Sequence, residues 1–200
     1  MDNLKNQLFD IDIPGLSPFR GCYLVAEPFL KESYFRHAVI CLSDYEEGKE
    51  AMGLVMNRLT NLSLQELIED VTAKKPVPIF CGGPMSGDRL FYMHTLGDII
   101  TDSQRVSDGL WIGGDFNEII QYVNAGYQID GDIRFFLGYS GWSPQQLEQE
   151  IRDRVWAVAP SPLPSKVLTD DNDAYWHRFV RHLGPAYRGW RFHPHNPHVN

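Results

Sequence analysis

The stretch Gly138-Tyr139-Ser140-Gly141-Trp142-Ser143-Pro144-Gln145-Gln146-Leu147-Glu148-Gln149-Glu150-Ile151 constrains this 200-residue chain more than any other. It follows an apolar run, 133–137, that suits a buried strand. Two glycines then permit a sharp turn or a close approach of two backbones. Ser143 is placed to cap a helix, Pro144 suits the first helical position, and Gln146 completes a Ser-x-x-Gln capping box. Leu147, Ile151 and Val155 recur at helical spacing. The expectation is a strand, a glycine turn carrying Trp142, and a helix over 144–154 with Glu148 and Glu150 in its first turns. A tryptophan between flexible glycines and a helix start needs packing to hold it, so Trp142 is expected to be buried.

The rest of the chain mixes strand and helix signals without strict alternation, which points to an α+β domain and away from a doubly wound sheet. Strands are expected over 21–26, 37–42, 51–57, 77–80, 90–95, 110–113, 133–138 and 155–159, with 37–57 forming a long hairpin. Ser63 with Glu66 and Asp115 with Glu118 read as capping boxes for two further helices, the second closed by Gly126. Segment 98–108 reads as a polar loop and 160–165 (PSPLPS) as a stiff connector. A last helix is expected over 171–183, stopped by Gly184-Pro185. We expect the blocks 35–42, 52–58, 77–80 and 133–138 to join one curved sheet system that brings Asn57, Gly82 and Gly138 together.

Several of these blocks, taken in order, resemble the YqgE/AlgH family of bacterial proteins: GCYLVAEP (21–28), FRHAVICL (35–42), MGLVMNR (52–58), CGGPM (81–85), Gly109 to Trp111, and the strand-turn-helix block itself. The resemblance spans roughly 14–185, leaving 1–13 as a flexible N-terminus and 186–200 as a basic, histidine-containing tail. It implies a single compact α+β domain, a small β-barrel or bifurcated sheet flanked by helices. It also brings the label of transcriptional regulator. Many members of that family have Gly-Gln-Leu-Glu where this chain has Gln145-Gln146-Leu147-Glu148, so no role that needs a bare backbone amide is expected at 145.

Charge and cysteine usage narrow the function classes. The net charge of −8 opposes strong nucleic-acid binding, which depends on neutralising phosphates. The four arginines 178, 181, 188 and 191 lie in 174–200 without an acidic residue, so the remainder carries −12. That basic end either meets an anionic partner or packs on the acidic body, and the second reading is favoured. No helix-turn-helix with a basic recognition helix is visible, so sequence-specific duplex DNA binding is not expected. The three cysteines lack metal-knuckle spacing and suit a reducing, cytoplasmic setting. Cys22 and Cys41 read as buried thiols, and Cys81 as the most reachable. No apolar run is long enough to span a membrane.

Catalytic patterns are mostly missing. Gly138-Tyr139-Ser140-Gly141-Trp142 has its second glycine one position too early for a nucleophile elbow. No phosphate-binding loop or dinucleotide fingerprint occurs. Gly82-Gly83-Pro84 reads as a tight turn more readily than as an anion nest. Asn57 and Arg58 read as ties on a neighbouring loop, alternatively as a cleft wall. Glu148 and Glu150 read as structural, pointing to different faces of their helix. His37 and His94 read as structural histidines in strands. His193, His195 and His198 could chelate a metal but lack a completing ligand, so no metal and no cofactor is expected. The candidate ligand-binding residues are Asn57, Arg58, Gly82, Gly83, Trp142, Gln146 and Glu148. The favoured reading is a regulatory protein, a monomer or weak homo-oligomer, that works through a protein or small-molecule partner. The rivals are a hydrolase or transferase with a cleft near Asn57, Gly82, Gly83 and Trp142, and nucleic-acid binding through the basic end.

Overall fold

In the computed structural model the described residues are 16–32, 34–169 and 174–192. They contain ten strands: β1 (Tyr23–Ala26), β2 (Val39–Asp44), β3 (Ala51–Val55), β4 (Leu59–Ser63), β5 (Pro78–Cys81), β6 (Met85–His94), β7 (Gln104–Ser107), β8 (Leu110–Ile112), β9 (Ile133–Trp142) and β10 (Trp156–Ala159). The helices are α1 (Leu64–Leu67), α2 (Phe116–Asn124), α3 (Gln146–Arg152), α4 (Pro164–Thr169) and α5 (Ala174–His182), followed by a 3-10 helix over Pro185–Phe192. The expected loose N-terminus (1–13), residues 171–173 of the last expected helix and the three tail histidines lie outside the described residues.

The sheet runs β10-β1-β2-β3-β9-β6-β8-β7, with β4 and β5 as a branch joined to β9. It curls into a half-barrel, and among the described residues its ends β10 and β7 do not pair. The four expected blocks do share this sheet. β1 explains its own lack of alternation: Tyr23 and Val25 enter one core with Val39, Phe136 and Trp176, while Cys22, Leu24 and Ala26 enter another with Trp142 and Trp156. A strand covered on both faces has no solvent side to mark with polar residues. A third core, around Ile79, Phe135 and Ile119, lies under α2.

β9 is the strand on which the architecture turns. Its first half pairs parallel with β5 (Phe80 opposite Phe136) and antiparallel with β6 (Tyr92 opposite Phe135). Its second half pairs antiparallel with β3, placing Ala51 opposite Trp142 and Gly53 opposite Ser140. The junction is Gly138, at φ +69°. This corrects the expectation of a glycine turn: the chain stays in the sheet through both glycines to Trp142, and the left-handed residue bends the strand so that β3 takes over from β5, while β6 pairs on both sides of the bend, with Met85 opposite Tyr139.

Other departures have local causes. β7 lies inside the expected loop 98–108, because pairing with β8 overrides the polar composition of Gln104–Ser107. β4, unmarked by any turn signal, pairs with β5. α4 begins at Pro164 inside the expected connector, a proline at a helix start being no obstacle. The Asp115 cap is as expected, its carboxylate accepting the N–H groups of Asn117 and Glu118. Glu118, however, reaches Thr101 and not the cap. His37 precedes β2 at φ +52°, stacked on Trp176 with ring centroids 4.5 Å apart. Residues 186–192, placed in the tail by sequence, belong to the 3-10 segment Pro185–Phe192, which is kinked at Tyr187 and whose Trp190 stacks on the buried Trp176.

Candidate functional site

Gly82 and Gly83 lie against β9 at its bend. The Gly82 N–H donates to the Leu137 carbonyl, and its own carbonyl accepts from the Val55 N–H and the Ser140 hydroxyl. A Cβ on Gly82 would fall 2.3 Å from the Gly138 oxygen, and one on Gly83 2.3 Å from the Tyr139 carbonyl. The pair is therefore a backbone crossing, and the Gly82 amide is committed to the sheet and unavailable to an anion. Ser140 is buried, with its hydroxyl used in the same crossing.

Beyond Trp142 the helix begins later than the sequence suggests. Gln145 stands at φ +67°, so α3 starts at Gln146, and Ser143 and Pro144 form the turn before it. The Ser-x-x-Gln contact survives: the Gln146 side-chain oxygen accepts from the Ser143 N–H and hydroxyl. Gln146 then donates its amide to Glu150. Trp142 is buried as expected, at 5% exposure, edge-on to Trp156. One Glu150 oxygen accepts both indole N–H groups, at 2.8 Å from Trp142 and 2.7 Å from Trp156. This carboxylate satisfies two buried donors that would otherwise be stranded. Sequence reasoning missed it because no periodicity connects residues 142, 150 and 156.

Glu148 leaves α3 on another face. Its carboxylate accepts from the Tyr45 hydroxyl (3.0 Å) and the Gly48 N–H (3.2 Å), fastening the helix to the β2–β3 hairpin loop. Burial pushes this carboxyl up, but the N–H groups of Glu148 and Gly48, the Tyr45 hydroxyl and the Arg152 charge together hold it below the ordinary value. Burial, with help from Glu148, pushes the Tyr45 hydroxyl up to about 12. Both groups border a groove of about 770 Å³ whose wall includes Phe29, Ile151, Arg152, Trp156 and Trp190.

Asn57 and Arg58 tie a loop. Asn57 accepts the Val39 N–H and donates to the His37 carbonyl, both at 2.9 Å, while Arg58 donates to the Tyr34 and Arg36 carbonyls. The seven candidate residues thus fall into three places: the loop tie, the crossing under β9, and the α3 end. Among them Glu148 alone borders the groove.

Among the described residues, the buried thiols, His94 and Arg134 are held in structural contacts. Burial raises the thiols of Cys22 to about 11 and Cys41 to about 12, which keeps them protonated. Cys81 is half-buried, its thiol facing the Gly83 carbonyl at 3.7 Å. Ser103 approaches His94 at 3.2 Å, a serine-histidine pair in distance only. His94 Nδ1 accepts the Leu96 N–H, so its proton is on Nε2, where it donates to the Gly113 carbonyl and cannot take one from Ser103. Arg134, a charge inside the apolar run, is 3% exposed, lies 4.2 Å over the Phe80 ring and donates to the Met56 and Leu168 carbonyls. Among the described residues no group of three or more His, Cys, Asp or Glu could hold a metal ion, and no helix is long and apolar enough to cross a membrane.

Comparison with known proteins agrees with this architecture. The family model described as AlgH-like matches residues 23–188. A UPF0301 protein of Parabacteroides distasonis is 39% identical over the whole of both chains. A UPF0301 protein of Bacteroides thetaiotaomicron is 36% identical over 99% of this chain and all of its own. The solution structure of the AlgH protein from Pseudomonas aeruginosa superposes with a TM-score of 0.67 at 27% identity, covering 86% of this chain and 94% of that one. A Corynebacterium diphtheriae crystal structure, with a TM-score of 0.68 at 22% identity over 92% and 96% of the two chains, shares the fold.

Proposed function

Because the chain belongs to the AlgH-like family, we propose that it works as a cytoplasmic binding protein, regulating through a protein or small-molecule partner and touching transcription only indirectly. The observation that supports this reading is the groove beside α3. Its walls carry aromatic surface (Phe29, Trp156, Trp190) and charges of both signs (Glu148, Arg152). Apolar walls with a few placed polar groups are the usual make-up of a recognition site. The Glu148 contacts to Tyr45 and Gly48 hold one wall in place before a partner arrives, which lowers the ordering cost of binding. A hydrolase or transferase reading has no support: Ser140 is committed to the Gly82 carbonyl, and His94 carries its proton on the nitrogen facing Ser103.

The test is a thermal-shift screen of metabolites and peptides on wild type and on Phe29→Ala/Arg152→Glu. Both substituted side chains border the groove at the surface. A groove ligand at about a hundredfold its Kd stabilises by about 2.7 kcal/mol and raises the wild-type melting point. The same compound should leave the double variant unmoved. Hits that stabilise both proteins equally would place binding elsewhere.

A further inference from the structure

A second cavity, of about 730 Å³, shares no lining residue with the groove among the described residues. It opens between the loop that enters β5 and the C-terminal end of α2 with the loop that follows. Phe80 and Arg134 lie at the strands between, and Tyr127, 62% exposed, lies on the outer wall. We propose that this cavity is a binding site for a small organic phosphate, a phosphate monoester on a ring-sized apolar body.

Three observations carry the assignment. The first is charge. Among the described residues, Lys74, Lys75 and Arg134 line the cavity with one carboxylate, Asp130, on a chain whose net charge is −8. A local reversal of sign is what draws an anion to one place on an acidic protein. Two flexible ammonium groups suit a dianionic phosphate better than a singly charged carboxylate, and the Arg134 guanidinium, committed to the Met56 and Leu168 carbonyls, adds its charge from behind the wall.

The second is preorganisation of the wall. The Gln65 amide donates to the carbonyls of Ala73 and Lys75 and accepts the Val77 N–H, so one side chain templates the loop that carries both lysines. Asn124 spans the two walls, accepting the Thr72 N–H and donating to the Asp70 carbonyl. These contacts fix the roots of Lys74 and Lys75 while their exposed side chains stay free to turn toward a ligand.

The third is the apolar remainder. Pro76, Val77, Pro78, Val123 and Ile129 supply a wall for a planar ring, and the volume falls within the range of small-molecule sites, about 300–1,000 Å³.

The experiment is isothermal titration calorimetry of the full chain with 1-naphthyl phosphate, inorganic phosphate and neutral 1-naphthol. 1-Naphthyl phosphate should bind wild type, and each of the other two should bind at least about tenfold more weakly, since each lacks half of the recognition. Lys74→Ala/Lys75→Ala should lose about tenfold in affinity, and Phe29→Ala/Arg152→Glu should bind as wild type. Both lysines are exposed, so the variant keeps its fold, which a matching thermal melt verifies. Failure of 1-naphthyl phosphate to bind, equal binding by the lysine variant, or equal binding of 1-naphthol would overturn the assignment. Loss of binding in the groove variant would overturn its placement.

Discussion

Truncating Glu150 to alanine should destabilise this protein by about 2–4 kcal/mol, although the residue is half-buried on a short helix. The magnitude comes from what the carboxylate leaves behind. Trp142 and Trp156 are 5% and 3% exposed, and both indole N–H groups end on the same Glu150 oxygen. A buried donor left without a partner costs about 1–3 kcal/mol. Two such donors give the range, its lower part applying because water can reach this side of the helix. Helix chemistry alone gives the opposite sign. Alanine is the better helix former, and removing an anion near the C-terminal end of α3 is favourable by a few tenths of a kcal/mol. The two accounts therefore separate cleanly in a urea denaturation series followed by far-UV circular dichroism. Glu150→Gln, which keeps an acceptor oxygen, should lose about 1 kcal/mol. Placed in a Trp142→Phe background, where one donor is already gone, Glu150→Ala should lose about half as much as in wild type. A Glu150→Ala protein within about 0.5 kcal/mol of wild type would refute the reasoning. So would an undiminished loss in the Trp142→Phe background.

Gln145→Gly should stabilise the chain by about 0.5–1 kcal/mol, because Gln145 holds φ +67° and glycine occupies that region without a steric penalty; an unchanged or lower urea midpoint would contradict this. Burial lowers the His94 pKa from its ordinary value, so the contribution of its neutral form is complete above about pH 6.5 and is lost as pH falls through the lowered folded value. Wild type should therefore lose stability between pH 7.5 and pH 5 more steeply than His94→Asn, compared by urea midpoints at ~0.15 M salt; parallel slopes would exclude His94 as a source. Footprinting at about 0.15 M salt should show no discrete protected site on duplex DNA, given a net charge of −8, and one protected site would reverse that expectation.

Much of the sheet was legible because its buried strands carry apolar runs that need no context. Gly21 to Ala26, the 37–57 hairpin and Val77 to Phe80 all announce themselves in this way, and β1, β2, β3 and β5 follow within a few residues. What the sequence hid depends on partners distant along the chain. β4 and β7 are half-exposed strands whose membership is decided by β5 and β8, respectively. Gly138 and Gly141 were readable as permissive residues, but whether a glycine turns a chain or lets it bend within a sheet depends on what lies across it. Here Gly82 and Gly83 lie across it, some 55 residues earlier. The candidate residues divided for the same reason. Trp142, Gln146 and Glu148 are neighbours along one segment, whereas Asn57 and Arg58 bond the loop before β2. Arg134 offered a usable signal, a charge inside an otherwise apolar strand, which an emphasis on hydrophobic runs passes over.

The position of β9 also orders events on the ribosome. Strands β3, β5 and β6 are all made before it, and each depends on it for one neighbour. β1 waits longer still, for β10. The chain thus passes through a stage in which residues up to 94 have been synthesised and their shared strand, ending at Trp142, has not. At about 5–20 residues per second that interval lasts about 2–10 s. During it, several strand edges lie open to any other chain, the circumstance in which edge pairing leads to aggregation. Destabilising changes in 133–142 should accordingly lower the yield of folded protein in the cell by more than their effect on the finished molecule.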